Sequence, residues 1–326
     1  MRQASCWPTT PCARYAAATR GRTSTGGRRR CDAPAGVRRL PVGFAQRRGK
    51  SPPEPADLTH GGRDRDRDDD DDHGHQDGRP RVPDDIVERM KLVTTEEAWG
   101  VLRQNGYNFQ FVGGWMNLHP ERVLVGRAVT CAYLPARPDL QGAVAELGER
   151  EGRIGGQNSW VIDTLVENDC IVVDLFGKVK NGTFAGDNLG TSILTKTKTG
   201  MVIDGGIRDT QRIMEMENFS VFVRGLDPTA IADVTLQGIN LPIRIGEATC
   251  LPGDIVLGTL TGIIFIPPHL AQQVVERSED IRQRDQFGHQ RLREGTYTPG
   301  QIDRKWTEDI EADFAEWKAA GGQAKH

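Results

Sequence analysis

Apolar and polar positions along this chain fall into two textures that meet near residue 84. Before that point no helical or strand period is present. Isolated apolar residues stand among Arg, Gly, Pro, Ser and Thr, and residues 63–72 read RDRDRDDDDD. From Pro83 onward the pattern becomes periodic. IVERMKLV and TTEEAWGVLRQNG predict two helices, with Thr95 as an N-cap backed by acids in the first turn and Gly106 as the stop. The runs VLVGRAVTCAYL, CIVVDLFG, MVIDGG, SVFVRG, PIRIG, DIVLGTL and GIIFIPP are strand-like in length and in Val/Ile content. Helical stretches are expected between some of them, over 189–198 and 210–216. Strands and helices mixed at this density predict an α/β domain over residues 85–285. After Pro268, HLAQQVVERSEDIRQRDQF predicts an amphipathic helix with Leu270, Val274, Val275 and Ile281 on one face. Residues 286–326 are expected to form a C-terminal extension. There Trp306, Ile310, Phe314 and Trp317 recur at helical spacing, predicting a terminal helix that docks its aromatic face on its own body or on a neighbouring subunit.

Composition changes the reading of the first 84 residues. Up to Lys50 the chain holds eleven Arg and one Lys against a single acid, Asp32. Such a segment cannot bury enough apolar surface to offset chain entropy, so residues 1–84 are expected to be a disordered low-complexity tail. Its Arg-rich, acid-poor start has the composition of an organelle transit peptide without a clean amphipathic helix. A nucleic-acid-binding arm is opposed by the acidic run that follows. A start codon assigned too far upstream, or an extension without function, is the plainer reading. His73 and His75, in DDHGHQD, are either solvated side chains or a weak metal site.

The formal net charge of -3 hides this asymmetry, and the body beyond residue 84 has no field that would recruit nucleic acid. Cys131, Cys170 and Cys250 sit in apolar runs and no Cys-x-x-Cys occurs, so buried free thiols are expected rather than disulfides or metal ligands. No apolar run approaches the roughly 18 residues needed to span a bilayer. A soluble, cytoplasmic protein is the expectation.

The chemistry concentrates in residues 186–209, GDNLGTSILTKTKTGMVIDGGIRD. Gly186 and Gly190 bracket a turn into a helix, whose first amides lack internal partners and whose dipole is positive there. The segment is either a plain strand-to-helix turn or a seat for a small carboxylate. MVIDGGIRD is an apolar strand that stops at a double glycine and then presents Arg208 beside Asp209. Arginine offers a planar fork for a carboxylate. Aspartate is a hard oxygen ligand for Mg2+ or Mn2+, metals that bind through one or two carboxylates and keep waters. The two residues are either a surface pair capping a turn or the elements of an α-keto acid site.

With its Gly-acid-x-Leu loop, VIDGGIRD and the downstream LPGDIVLGTLTGIIFIPP, the chain resembles the RraA-like family, which includes 4-hydroxy-4-methyl-2-oxoglutarate aldolases and the regulator of ribonuclease activity A. The resemblance covers roughly residues 94–279 and is strongest over 187–224 and 252–267. It implies a compact layered β/β/α domain, assembled as a homotrimer or a hexamer, with sites at subunit boundaries. It implies further that the backbone around Asn188, Leu189 and Gly190 binds the pyruvyl carboxylate. Arg208 would contact substrate carboxylate or keto oxygen, Asp209 would be the protein ligand of Mg2+ (or Mn2+), and Asp187 would orient a metal-bound water. Asp204, near the end of the strand before the motif, reads as structural or as a support behind the site residues. The activity so implied is a metal-dependent lyase cleaving a hydroxylated 2-oxo acid to pyruvate, with oxaloacetate decarboxylation as a side activity. The alternatives are a non-catalytic regulator of RNA-processing proteins and a sugar-acid dehydratase using the same metal site.

This chain departs from the family pattern at three places. Gly258-Thr259-Leu260-Thr261-Gly262 lacks an acid before its late strand, and Thr210, Gln211 and Arg212 follow the Arg-Asp pair where an acid is common. NFQFVGGWMNLHP and EGRIGGQNSW are extra, and from them His119, Gln157, Asn158 and Trp160 are either substrate contacts or loop packing. Arg127 is either a surface residue or a second anion contact. These departures fall where substrate would be touched, so the resemblance carries the chemistry and not the substrate.

Overall fold

A computed structural model describes residues 78–322; His73 and His75 lie outside the described residues. The ordered packing begins upstream of the expected boundary at residue 84, because Arg79 and Val82 are already buried, 2% and 3% exposed. Helices α1 (Asp84–Met90) and α2 (Thr95–Gln104) open the fold. The N-cap of α2 is Thr94 rather than Thr95: its hydroxyl accepts from the Glu97 amide while Glu97 reaches back to the Thr94 amide.

Two short strands follow, β1 (Phe111–Val112) and β2 (Met116–Asn117), then the long β3 (Leu124–Pro135). Next come α3 (Pro138–Arg150) and α4 (Gln157–Asp163), which periodicity did not predict. In α3 only Gly148 is buried, although Leu140, Val144 and Leu147 recur at helical spacing and Val144 packs against the core. The remainder of the body is β4 (Asp169–Ala185), α5 (Asp187–Thr197), β5 (Gly200–Ile207), α6 (Thr210–Met214), β6 (Ser220–Leu226) and β7 (Val234–Ile239). A hairpin of β8 (Ile243–Ile245) and β9 (Ala248–Cys250) leads to β10 (Ile255–Gly258) and β11 (Ile263–Ile266).

Strands β3, β4, β5 and β6 pair in parallel at the centre of the main sheet. Antiparallel β10, β11 and β1 extend it past β3, β2 closes the other edge on β6, and β7 runs against the distal half of β3. Ile171, Val173 and Ile203 fill one face with α4 and α5, while Cys170, Val172 and Val202 fill the other with the β8–β9 hairpin. Burial on both faces is why these strands read as continuous apolar runs. Asn168, Lys198 and Asn218 all adopt positive φ, 65°, 60° and 59°, at the turns into β4, β5 and β6. The three body cysteines are free and buried, and burial chiefly raises their thiol pKa values.

β5 does not stop at the double glycine but runs through it to Ile207. The second half of β4 folds back across it, pairing Lys178 with Gly205, Thr183 with Gly206 and Ala185 with Ile207. A Cβ on Gly205 would stand 3.0 Å from the Lys178 carbonyl oxygen, and one on Gly206 3.0 Å from that of Val179. The glycines therefore permit the crossing, and the crossing delivers the end of β4 to the end of β5.

Two guanidiniums are entombed beneath the sheet. Arg79 donates twice to Asp169, at 2.9 and 3.1 Å, with side chains 2% and 0% exposed. Arg127 is not a surface residue, and the anion it contacts is a carboxylate of its own chain. It is 1% exposed and donates to the Val82 carbonyl at 2.8 Å and to the Asp84 carboxylate, pinning α1 to β3.

Helix α7 (Pro268–Arg293) packs its first turns, through Leu270, Val274 and Val275, on α1, α2 and β10–β11. Its second half carries Phe287 into an aromatic cluster with the short α8 (Pro299–Ile302) and the terminal α9 (Glu308–Ala319). Trp306, Phe314 and Trp317 stand 5.3, 5.4 and 5.8 Å from the Phe287 ring. The aromatic face expected of the terminal helix thus docks on its own chain. Among the described residues no helix is long and apolar enough to cross a membrane.

Candidate active site

The crossing of β4 over β5 places Ala185 and Gly186 against Arg208 and Asp209. The Arg208 amide donates to the Ala185 carbonyl at 3.1 Å. Gly186 is the N-cap of α5, and a Cβ there would fall 2.2 Å from Asp209 Oδ2 and 3.0 Å from Arg208 Nε. No side chain fits at position 186 while the pair holds this arrangement. Asp209 adopts φ 54°, a left-handed conformation that aspartate tolerates, and the chain turns there from β5 into α6. Its carboxylate makes no capping hydrogen bond to α6, whose Arg212 and Ile213 amides donate instead to the Asp209 backbone carbonyl. Arg208 Nε lies 3.5 Å from Asp209 Oδ2, with side chains 31% and 43% exposed. Both charged groups are open to a ligand.

Asp187 begins α5 on the other side of Gly186. Its carboxylate accepts from Arg212 Nη1 at 2.7 Å and from the Asn188 amide at 2.9 Å. The Arg212 guanidinium, ahead of the Asn188 amide, holds this carboxyl below the usual carboxylate range. Sequence reading set Arg212 aside as a departure, yet the structure brings it across α6 to the loop. The available signal was charge alone: a basic residue three places after Asp209 meets an acid that flanks the glycine. Among the three residues assigned to carboxylate binding, Asn188 spends its amide on Asp187, and Gly190 donates its own to the Gly186 carbonyl at 2.8 Å. Leu189 contributes a first-turn amide of the kind that lacks an intrahelical partner.

One row further into the sheet, Asp204 is ion-paired at 2.6 Å to Arg224, which also donates to the Gly113 and Gly114 carbonyls and stacks 3.7 Å over the Trp115 ring. Its neighbour in register, Asp174, has a raised pKa, from burial first and from the Asp204 charge as well. Asp204 is therefore a strut between β5, β6 and the loop before β2. His119 is buried, with Nε2 against the Met214 carbonyl at 3.2 Å, so it packs under α6 and offers no face to substrate. Gln157, Asn158 and Trp160 gather elsewhere, on α4, around a cavity that includes none of Gly186, Asp187, Arg208 or Asp209.

The donor set can be tested against a divalent cation. Among the described residues no three His, Cys, Asp or Glu side chains gather as ligands. What is present is one exposed, hard carboxylate with room around it. That fits Mg2+, which commonly takes one or two protein carboxylates and completes its octahedron with water and substrate.

The fold and these side chains define a class: α/β proteins with an ionic cluster outside the carboxyl ends of parallel strands, where such sheets bind ligands. Within that class the chain belongs to the RraA-like family, since the family model described as Aldolase/RraA matches residues 86–265. It is 31% identical over 153 residues to a protein of Halalkalibacterium halodurans named "Putative 4-hydroxy-4-methyl-2-oxoglutarate aldolase", covering 43% of this chain and 72% of that one. Its fold is similar to that of an uncharacterized protein from Pseudomonas syringae, with a TM-score of 0.57 at 22% identity over 68% of this chain and 94% of that one. It is similar also to Streptomyces coelicolor RraAS2, described as an unusual member of the RNase ES inhibitor RraA protein family. There the TM-score is 0.55 at 23% identity, over 64% of this chain and 98% of that one. The family thus embraces both aldolases and ribonuclease regulators.

Proposed function

We propose that this protein is a divalent-metal-dependent carbon–carbon lyase that cleaves a hydroxylated 2-oxo acid to pyruvate or a related 2-oxo acid. The observation that carries the reading is the bare Gly186 backbone lying under the side chains of Arg208 and Asp209. A helix start, a guanidinium and a free carboxylate converge there, and an α-keto acid presents the matching groups. The positive end of α5, with the Leu189 amide, attracts the substrate carboxylate. Arg208 orients it through its planar fork and faces the negative charge that develops on the keto oxygen. Asp209 would hold Mg2+ or Mn2+, and such an ion, when bound, supplies the Lewis acidity that stabilises this charge as the C–C bond breaks. Asp187, kept ionised by Arg212, stands beside the site as a carboxylate that orients the proton acceptor for the substrate hydroxyl. A homotrimer or hexamer with this site at the subunit boundary belongs to the same reading, and light scattering measures it directly.

The test is pyruvate release from a panel of 4-hydroxy-2-oxo acids and from oxaloacetate, with and without Mg2+. Activity that survives both EDTA and Asp209→Ala would refute the metal role. A sharper variant is Gly186→Ala. Its backbone, at φ -116° and ψ -164°, suits alanine, so the fold is retained. The new methyl displaces Asp209 and Arg208, and release of pyruvate should fall with little change in melting temperature. A Gly186→Ala protein of unaltered kcat/KM means that the convergence is not the active site.

A further inference from the structure

The return of β4 across β5 leaves part of the strand without a place in the sheet. Lys178 pairs with Gly205 and Thr183 with Gly206, which are neighbours on β5, so residues 179–182 stand out of register. Asn181 turns them back at φ 56°, and a Cβ on Gly182 would collide with the Lys178 carbonyl. The ladder between β4 and β5 therefore does not hold this loop, and its backbone polar groups need partners elsewhere.

Those partners come from the connection that follows β6. Asn181 donates its amide to the Thr229 hydroxyl at 2.7 Å, and its carbonyl accepts from the Ala232 amide at 2.9 Å. Thr183, wholly buried, donates its hydroxyl to the Thr229 carbonyl. Thr229 is held in turn by Asp227, whose carboxylate accepts from the Thr229 amide at 2.9 Å and from the Thr229 hydroxyl. Pro228, between them, stiffens the turn. The Thr229 hydroxyl, ahead of its amide, holds the Asp227 carboxyl below the usual carboxylate range, so this acceptor is charged at neutral pH. A hydroxyl that donates to a carboxylate is polarised into a stronger acceptor for the Asn181 amide. The Asp227 amide, finally, donates to the Ile207 carbonyl at 3.1 Å.

Both ends of this run of bonds lead to the candidate active site. Ile207 immediately precedes Arg208, and Thr183 stands three residues before Gly186. Ile207 is in register with Ala185 on one side and with Leu226 on the other. The next residues along the three strands are Gly186, Arg208 and Asp227. We propose that Thr229 is a positioning residue: its hydroxyl, braced by Asp227, fixes the returning segment of β4 and so sets Gly186 against Arg208 and Asp209. The catalytic consequence rests on the lyase reading, whereas the hold on the segment does not.

The test compares Thr229→Val and Thr229→Ser in the full chain. Valine keeps the shape and removes the hydroxyl, and serine restores it. Hydrogen exchange read by mass spectrometry should run about fivefold faster over residues 178–186 in Thr229→Val, as one lost hydrogen bond implies, with α7 unchanged. Thr229→Ser should exchange like the parent. In pyruvate release, KM should rise about fivefold in Thr229→Val with a smaller change in kcat, because the start of α5 holds the substrate carboxylate in ground state and transition state alike. Serine should restore KM. A residue that served stability alone would lower the melting temperature and leave KM where it was. Parent-like exchange in Thr229→Val overturns the proposal, as does a serine variant that behaves like the valine one. Faster exchange with an unaltered KM overturns the positioning role. A parent that releases no pyruvate sinks the lyase reading, and the exchange rates alone then decide whether Thr229 holds the segment.

Discussion

Arg79 and Asp169 meet through two hydrogen bonds and are almost wholly removed from water, whereas Arg208 and Asp209 lie 3.5 Å apart with 31% and 43% of their side chains exposed. Both are arginine–aspartate pairs, and their environments assign them opposite work. In the buried pair each charge is spent on the other, and Asp169 also accepts from the Val166 amide at 2.9 Å, so nothing remains for a ligand. In the exposed pair the contact is loose, and solvent screening makes it worth at most about 1 kcal/mol. Weak mutual satisfaction is what leaves both groups free for a third party. The buried pair holds strands and chain entry together, and the exposed one waits for a substrate.

The largest effect should come from breaking the buried pair on one side. Asp169→Ala removes the carboxylate that balances the buried Arg79 charge, and such a loss costs about 3–5 kcal/mol. Urea denaturation should show it as a lower midpoint at unchanged slope. Asp209→Ala provides the contrast: stability within about 1 kcal/mol of the parent, but pyruvate release reduced by two orders of magnitude or more, on the order of 3 kcal/mol in transition-state terms. If Asp209→Ala unfolds the protein, or Asp169→Ala leaves it unperturbed, the contrast between the pairs fails.

A third carboxylate sharpens the comparison because it is buried without an arginine. Asp254 is 2% exposed and accepts from the Leu251 amide at 2.8 Å, and burial pushes its pKa up to about 6. A carboxyl whose folded pKa is raised favours the fold while protonated, and that contribution is lost as pH rises from about 4 towards 6. Asp254→Asn should therefore raise the free energy of unfolding at pH 7 and not at pH 4, by on the order of 2 kcal/mol. An identical gain at both pH values would show that charge is not the cause.

The smallest effect is expected at Arg212. Its hydrogen bond depresses the Asp187 pKa, so Asp187 stays ionised as pH falls below the ordinary carboxylate range. Arg212→Gln removes that support, and Asp187 should then protonate at higher pH. The acidic limb of the kcat/KM profile should move upward with little change in its plateau. A profile that does not move would mean that Asp187 has no part in the ionisation governing the rate.

The legibility of this molecule follows the range of the forces involved. The strands from β3 to β6 could be read because burial on both faces demands unbroken apolar runs. The Gly186 loop and the Arg208–Asp209 pair could be read because glycine, arginine and aspartate carry their chemistry in residue type. Helix α3 is harder to read although Leu140, Val144 and Leu147 recur at helical spacing, because Pro138, Gly142 and Gly148 interrupt a segment that buries little more than Gly148. Arg212, Arg127 and His119 were misplaced or left open for a different reason. Their partners lie at Asp187, Asp84 and Met214, tens of residues away, and pairings at that separation are chosen by packing rather than by spacing.

What the sequence by itself determined was local: the apolar runs of the central strands, the amphipathic face of α7, and the chemical kinds gathered in residues 186–209. What only the tertiary structure decided was which of those charges are spent and which are free. Arg79 and Arg208 are the same side chain, and nothing in their flanking residues separates a strut from a ligand-binding group. The separation arises when β4 crosses the Gly205–Gly206 step and brings Gly186 beneath Asp209, while Arg79 closes on Asp169 in a site that water does not reach.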